Sequence, residues 1–245
     1  MNLHGKPALV TGGAIRVGKA ISLALARGGA NVVINYSRSA AEAAQTAAEA
    51  EALGVGALPI QADVADPAQV QHMAAQAQAR FGAVDVLVNG ASLFKRTPLP
   101  MADVGDWRRV IGIGLDGAFY CANAVAPQML ARGEGVIINI VDLFAWQPSA
   151  GFAAHSVTKA GLLALTRQLA LDLAPAVRVN AVAPGPVLPP PNYDAARVER
   201  LAQKTLLKRW GSPEDVAQAV LFLVQADYIT GEYITVDGGE RYGHW

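Results

Sequence analysis

Three polar side chains in this sequence have the types and spacing for proton transfer. His155 and Lys159 are four residues apart, which puts them on one face of a helix, one turn from each other. Asp142 follows the apolar run Val136-Ile137-Ile138-Asn139-Ile140-Val141 and so lies at the carboxyl end of a strand. An imidazole titrates near about 6.5 and is matched to neutral pH without help from neighbours. A carboxylate nearby favours the imidazolium form and an ammonium disfavours it. The chemistry on offer is acid–base.

A second group of residues is built for phosphate. Thr11-Gly12-Gly13-Ala14-Ile15-Arg16-Val17-Gly18 sits between a strand pattern and a helix pattern. Glycines there let the backbone turn tightly and approach a pyrophosphate, while the helix start supplies free N–H groups. A site for NAD would place an acid about 20 residues on, at the end of the second strand, to hold the ribose diol. Here that stretch reads Asn35-Tyr36-Ser37-Arg38-Ser39, without an acid. Arg16 and Arg38 offer forked donors for a 2′-phosphate, so the spacing favours NADP(H).

The elements that position these groups alternate along the chain. Strand-length apolar runs at 8–11, 31–35, 56–61, 84–89, 135–141, 178–183 and 233–236 are separated by helical patterns. The helices are expected at 17–28, 40–53, 67–81, 104–132, 152–174 and 213–225. This order predicts an α/β fold: one Rossmann-type domain over residues 1–245, with about seven parallel strands, doubly wound, and helices on both faces. Pro184-Gly185-Pro186-Val187-Leu188-Pro189-Pro190-Pro191 cannot continue a strand or helix. It opens a proline-rich loop, around 184–212, at a strand's carboxyl end, where it can wall a substrate.

Composition narrows the partners. Lys+Arg and Asp+Glu are 20 each, so net charge gives no reason to expect nucleic acid or an anionic membrane. One cysteine, Cys121, excludes an internal disulfide framework and reads as core packing. The first residues lack a signal-peptide core, and no uninterrupted apolar stretch reaches the roughly 20 residues needed to span a bilayer. A soluble, cytoplasmic protein is expected. His4, His72 and His244 have no partner spacing, and no metal motif is present.

Taken together, the landmarks resemble the short-chain dehydrogenase/reductase family over nearly the whole chain. They are the Thr11–Gly18 loop, Asp63-Val64, Asn89-Gly90-Ala91, Lys159, Pro184-Gly185 and Val236-Asp237-Gly238-Gly239. The resemblance implies that Gly12, Ile15, Arg16, Val17, Gly18, Ser37, Arg38, Ser39, Asp63, Val64, Asn89, Gly90, Ala91, Ile140, Lys159, Pro184, Gly185 and Val187 hold the cofactor. Asp63 and Val64 would meet adenine and Lys159 the nicotinamide ribose. Within the family the chain is most similar to pteridine reductases, on Arg16, Arg38-Ser39, Asp142 where relatives carry Ser, and Phe94 where they stack a pterin. Phe94, Trp146 and Leu188 are the substrate-side candidates; Phe94 and Trp146 are read equally well as packing. The resemblance also implies a homotetramer, through the 104–132 and 152–174 helices.

The family's Tyr-x-x-x-Lys motif reads His155-Ser156-Val157-Thr158-Lys159 here, and Gly114 stands where the family has Asn. With family geometry, Asp142 and His155 converge, and closer contact with Asp142 leaves His155 partly protonated and able to donate. The leading expectation is an NADPH-dependent reductase of a C=O or C=N bond in a small molecule, with Asp142, His155 and Lys159 catalytic. Two alternatives stand beside it. One is an NADP(H)-binding protein without redox turnover, a sensor or assembly partner. The other is a lyase or isomerase using the same acid–base pair.

Overall fold

The apolar runs form strands that are covered on both faces, as their lack of polar alternation requires. In the computed structural model, which describes residues 1–190 and 193–243, neighbouring side chains of one strand enter opposite cores. Val86 and Val88 join Val10, Val32, Ile34 and Ile138 on one side; Leu87 joins Leu9, Val33 and Ile137 on the other. All of these are fully buried, each contributing about 1.5–3 kcal/mol through burial.

The strands are β1 (Pro7–Thr11), β2 (Asn31–Tyr36), β3 (Ala57–Gln61), β4 (Val86–Asn89), β5 (Gly135–Ile140), β6 (Val177–Pro184) and β7 (Tyr233–Val236). They make one seven-stranded sheet in the order β3-β2-β1-β4-β5-β6-β7, with every neighbouring pair parallel. Helices α1 (Arg16–Arg27), α2 (Ala40–Glu51) and α8 (Pro213–Gln225) cover one face. The other face carries α3 (Pro67–Phe81), α4 (Gly105–Ile111), α5 (Gly117–Arg132) and α6 (Ala153–Leu173). The strand order reverses between β1 and β4, so loops after these strands open a crevice at the sheet's carboxyl edge. The chain is a single-domain, Rossmann-like α/β protein.

Two expectations need correction. The helix expected over 104–132 is broken: α4 and α5 are joined by a π-helical turn, Gly112–Asp116. Gly114 lies inside it. A Cβ there would fall 2.4 Å from Cγ2 of Thr158, so glycine is what lets α6 approach. The whole Gly105–Arg132 stretch is long and apolar enough to cross a bilayer by length and composition alone, but it packs here against α3 and α6. The second correction concerns the region after β6. It contains a helix, α7 (Ala195–Ala202), capped by Asp194, whose carboxylate accepts from the Arg197 N–H at 2.7 Å. The proline run before it masked this signal. Pro191 and His244 lie outside the described residues.

A buried polar chain fixes the far end of β4. The Asn89 amide donates to Asn139 Oδ1 at 2.9 Å, Asn139 donates to Thr166 Oγ1 at 2.9 Å, and Thr166 donates to the Leu162 carbonyl at 2.8 Å. These bonds join β4, β5 and α6, the three elements that carry the site. Buried polar groups this deep are mostly paired; in this chain Asn89 Oδ1 has no hydrogen-bond partner among the described residues.

Candidate active site

The glycine loop between β1 and α1 forms a cradle. Gly12 has φ +65°, and a Cβ on it would lie 3.2 Å from the Ala91 backbone, so the loops after β1 and β4 meet through bare backbone. Gly18 is under still tighter constraint, since its Cβ would fall 2.0 Å from the Gly12 carbonyl oxygen. Thr11 Oγ1 accepts from the N–H groups of Gly90 and Ala91 at 3.0 and 3.1 Å, tying the two loops together. On the β2 side, Asn35 accepts from the Gly12 N–H at 3.3 Å and donates to the Ala62 carbonyl at 3.1 Å. Sequence reasoning gave Asn35 no role; a polar residue ending an apolar strand was the available signal.

A cavity of about 390 Å³ opens beside this cradle. Its lining brings together Gly12, Ile15, Arg16, Val17 and Gly18 from the loop, Ser37, Arg38 and Ser39 after β2, Asp63 and Val64 after β3, and Gly90 and Ala91 after β4. Arg109 also lines it and pairs with Asp63 at 2.7 Å. Both partners are partly solvated, so the pair adds at most about 1 kcal/mol. Arg16 has φ +53°, a left-handed conformation rare for any residue but glycine. Its Nη2 donates to the Leu188 carbonyl at 3.2 Å.

The other cofactor candidates do not line that cavity. Asn89 is buried in the polar chain described above. Ile140 offers its carbonyl to Lys159 Nζ at 2.8 Å, Pro184 ends β6, Gly185 N–H donates to the Val236 carbonyl at 3.0 Å, and Val187 is buried. These residues cluster at the carboxyl ends of β5 and β6, farther along the same sheet edge.

The acid–base group sits at that second position. Asp142 caps a single 3₁₀ turn, its Oδ1 accepting from the Phe144 N–H at 2.9 Å. Its Oδ2 lies 2.6 Å from His155 Nε2. The two partners differ in exposure: the His155 side chain is 3% exposed and that of Asp142 is 22%. His155 Nδ1 is buried and, among the described residues, has no hydrogen-bond partner. Lys159, one turn along α6, points its amine at the Ile140 carbonyl rather than at His155. Burial pushes the Lys159 amine below its ordinary value, an effect partly opposed by the charge of Asp142.

Aromatic rings close over the imidazole. Phe94 stacks on Phe152 with centroids 4.6 Å apart and meets the imidazole edge-on at 4.9 Å. Phe144 meets it edge-on at 5.3 Å. Phe144 and Phe152 were not anticipated, because ring packing across three loops leaves no spacing rule in the sequence. Phe94 keeps half its surface exposed. Trp146 instead packs on Tyr233 at 5.0 Å within an apolar cluster, the packing alternative weighed for it. Among the described residues, no group of three or more His, Cys, Asp or Glu is arranged to hold a metal ion.

Comparison with known proteins gives the family. The family model described as "Enoyl-(Acyl carrier protein) reductase" matches residues 13–240. A 3-oxoacyl-[acyl-carrier-protein] reductase of Synechocystis sp. is 39% identical over 241 residues, covering 97% of each chain. The corresponding reductase of Staphylococcus epidermidis is 38% identical, over 96% of this chain and 98% of the relative. Among solved structures, a blue fluorescent protein from a metagenomic library in complex with NADPH superposes with a TM-score of 0.91 at 38% identity, over 98% of this chain and 99% of the other. A gluconate 5-dehydrogenase of Burkholderia cenocepacia in complex with NADP and tartrate does so with a TM-score of 0.90 at 35% identity, over 98% and 97%. With its glycine cradle, its lysine on α6 and these relatives along almost its full length, the chain is an oxidoreductase belonging to the short-chain dehydrogenase/reductase family.

Proposed function

We propose that the protein is an NADPH-dependent reductase of a C=O or C=N bond in a small planar substrate, with an Asp142–His155 pair in place of the family's Ser and Tyr. The observation that carries this reading is the 2.6 Å contact between the Asp142 carboxylate and a buried imidazole, on the same sheet edge as the phosphate cradle. The residues present fit the phosphorylated nucleotide. Gly12 and Gly18 leave backbone room, and Ser37, Arg38 and Ser39 line the cavity where an acid would repel a 2′-phosphate.

When bound, NADPH supplies the hydride; the chain's residues supply position and a proton. Arg38 and the flanking serines hold the 2′-phosphate, and Lys159 holds the nicotinamide ribose. The atom that gains the electron pair, oxygen or nitrogen, takes its proton through Asp142, whose carboxylate first receives the Nε2 proton of a protonated His155 across the 2.6 Å contact and then passes it on. That carboxyl is the more exposed partner of the pair. His155 is left neutral, and the pair regains its one proton from solvent through the more exposed Asp142. His155 is therefore read as the proton reservoir behind Asp142, which reverses the direct donor role expected from the sequence. Burial of His155, with one nitrogen engaged and the other enclosed, is the reason.

The free face of Phe94, backed by Phe152, suits a flat heterocycle of the pterin type. A second substrate reading, a 3-oxoacyl thioester, is favoured by the names of the relatives at 38–39% identity. Loss of nicotinamide absorbance should be followed over pterins, cyclic imines, quinones, diketones and an acetoacetyl thioester. Turnover of the flat bicycles supports the first substrate reading, and turnover confined to the thioester supports the second. Tight NADPH binding with no turnover of any of them replaces the reductase by a non-redox NADP(H)-binding role. Conversion of a hydroxy compound without nicotinamide oxidation points instead to lyase or isomerase chemistry.

A further inference from the structure

We propose that Arg16 is a positioning residue that couples nucleotide binding to docking of the substrate-side loop; the proposal rests on the NADP(H) reading of the cavity. Arg16 occupies a backbone conformation that glycine adopts without cost, φ +53°. A long side chain retained there needs a reason. Its stem lines the nucleotide cavity, and its guanidinium leaves the glycine loop to reach the Leu188 carbonyl at 3.2 Å, 172 residues away.

The loop it reaches is short of donors of its own, apart from the Tyr193 N–H, which donates to the Pro190 carbonyl at 3.1 Å. Pro184, Pro186, Pro189 and Pro190 carry no N–H. Gly185 N–H is committed to the Val236 carbonyl, and the Pro186 carbonyl accepts from Gly211 N–H at 3.0 Å. The Val187 side chain is buried in the core. Beyond it, Leu188 is anchored by Arg16, and among the described residues no other hydrogen bond joins this loop to the glycine loop. Helix α7 begins at Ala195, seven residues on in the sequence. A guanidinium has several donors in a rigid fork. One faces Leu188, and the rest stay available to the phosphates the cradle would hold. Phosphate on one side fixes the group that grips the loop on the other, so nucleotide and loop closure favour each other reciprocally.

Arg38, exposed just after β2, lines the same cavity, and no hydrogen bond from it to the loop is present among the described residues. The two arginines should therefore separate by experiment. NADPH and NADH affinities and amide hydrogen exchange over residues 193–207 would be measured for the wild type, R16G, R16K and R38S. Glycine suits φ +53°, so R16G should fold. Because Arg16 reaches the Leu188 carbonyl rather than serving the 2′-phosphate expected for it from the sequence, the NADPH/NADH affinity ratio of R16G is expected to stay within about threefold of wild type, while nucleotide-induced protection of 193–207 drops by about fivefold or more. R16K, which still donates to the carbonyl, should recover most of that protection. R38S should lose about tenfold or more of the NADPH preference, as expected for a lost charged hydrogen bond to phosphate, yet keep the protection at saturating nucleotide. Protection in R16G equal to wild type, or loss of NADPH preference in R16G matching R38S, overturns the proposal and leaves the cofactor reading intact. A wild-type protein that binds neither nucleotide overturns both.

Discussion

Replacing Asp142 by Asn tests the acid–base pair with little change of shape. The carboxylate makes two contacts of opposite demand. Oδ1 accepts from the Phe144 N–H at 2.9 Å, and Oδ2 faces His155 Nε2 at 2.6 Å. An amide cannot serve both as an acceptor. If its oxygen keeps the Phe144 contact, its NH₂ faces Nε2 and drives the ring proton to Nδ1. That nitrogen is buried, has no partner among the described residues, and is edged by Phe94 and Phe144. If the amide turns over, two N–H donors confront each other at Phe144. The change removes a hydrogen bond to a charged group, about 1.5–3 kcal/mol, or orphans a buried donor, about 1–3 kcal/mol. Asp142 is partly solvated, so a net loss of roughly 2–3 kcal/mol is expected, lowering Tm by about 5–10 °C in a chain of this size. Turnover should fall about 10²–10⁴-fold, because the proton is held on the wrong nitrogen. Calorimetry and steady-state kinetics on the substrate found by the panel check both. A D142N protein with Tm within about 1 °C and turnover within about twofold of wild type would refute the reasoning.

Four further outcomes follow from the same structure. For Lys159 the folded-state value lies below the ordinary 10.5, through burial, so between the two the unfolded chain binds the proton and the native chain does not. Stability therefore rises with pH across that window. Urea unfolding should show the wild type gaining on K159M as pH climbs towards 10.5; a flat difference rejects the burial of charge. Phe94 is half exposed, so Phe94→Ala should cost about 1 kcal/mol or less in a melt while raising KM for flat substrates more than for acyclic ones. Burial pushes the Cys121 thiol up to about 12, so iodoacetamide should leave the native protein unlabelled at mildly alkaline pH and label it in denaturant. Phe119 and Leu130 on α5 and Val157 and Leu171 on α6 are exposed; light scattering should give four times the chain mass, and a monomer would refute the assembly reading.

The sheet was legible because its strands are apolar on both faces and short, a pattern that helices of this length do not share. The cradle was legible because close backbone approach leaves glycines in the sequence, and the nucleotide preference because charge at residues 36–39 is a local property. Elements set by tertiary contact were not. Gly112, Gly114 and Gly117 mark the interruption of the long helix, yet glycine in an apolar run is equally consistent with a continuous helix until Thr158 is seen against Gly114. The α7 signal, Asp194 followed by alternating charge, was overshadowed by the prolines before it. Spacing put His155 and Lys159 on one face, but it could not reveal that the lysine turns away to the Ile140 carbonyl.

The positions that break local rules gather at the site. Arg16 holds a glycine conformation, His155 and Lys159 are polar groups sealed in the interior, and a π turn interrupts a helix directly against Thr158, their neighbour on α6. Strain and buried polarity of this kind cost on the order of 1–3 kcal/mol each. A sheet buried on both faces can sustain such costs, since a few fully buried Ile, Leu and Val side chains offset them. The pattern has a direction. Arg16 and the His155–Lys159 pair lie at the carboxyl ends of the parallel strands, at neighbouring positions along one sheet edge. An imidazole sealed against a carboxylate at 2.6 Å is costly, because an apolar residue of similar size would be the more stable occupant. That cost, placed at the sheet edge beside the nucleotide cradle, is the physical argument behind the proposed acid–base role of the pair.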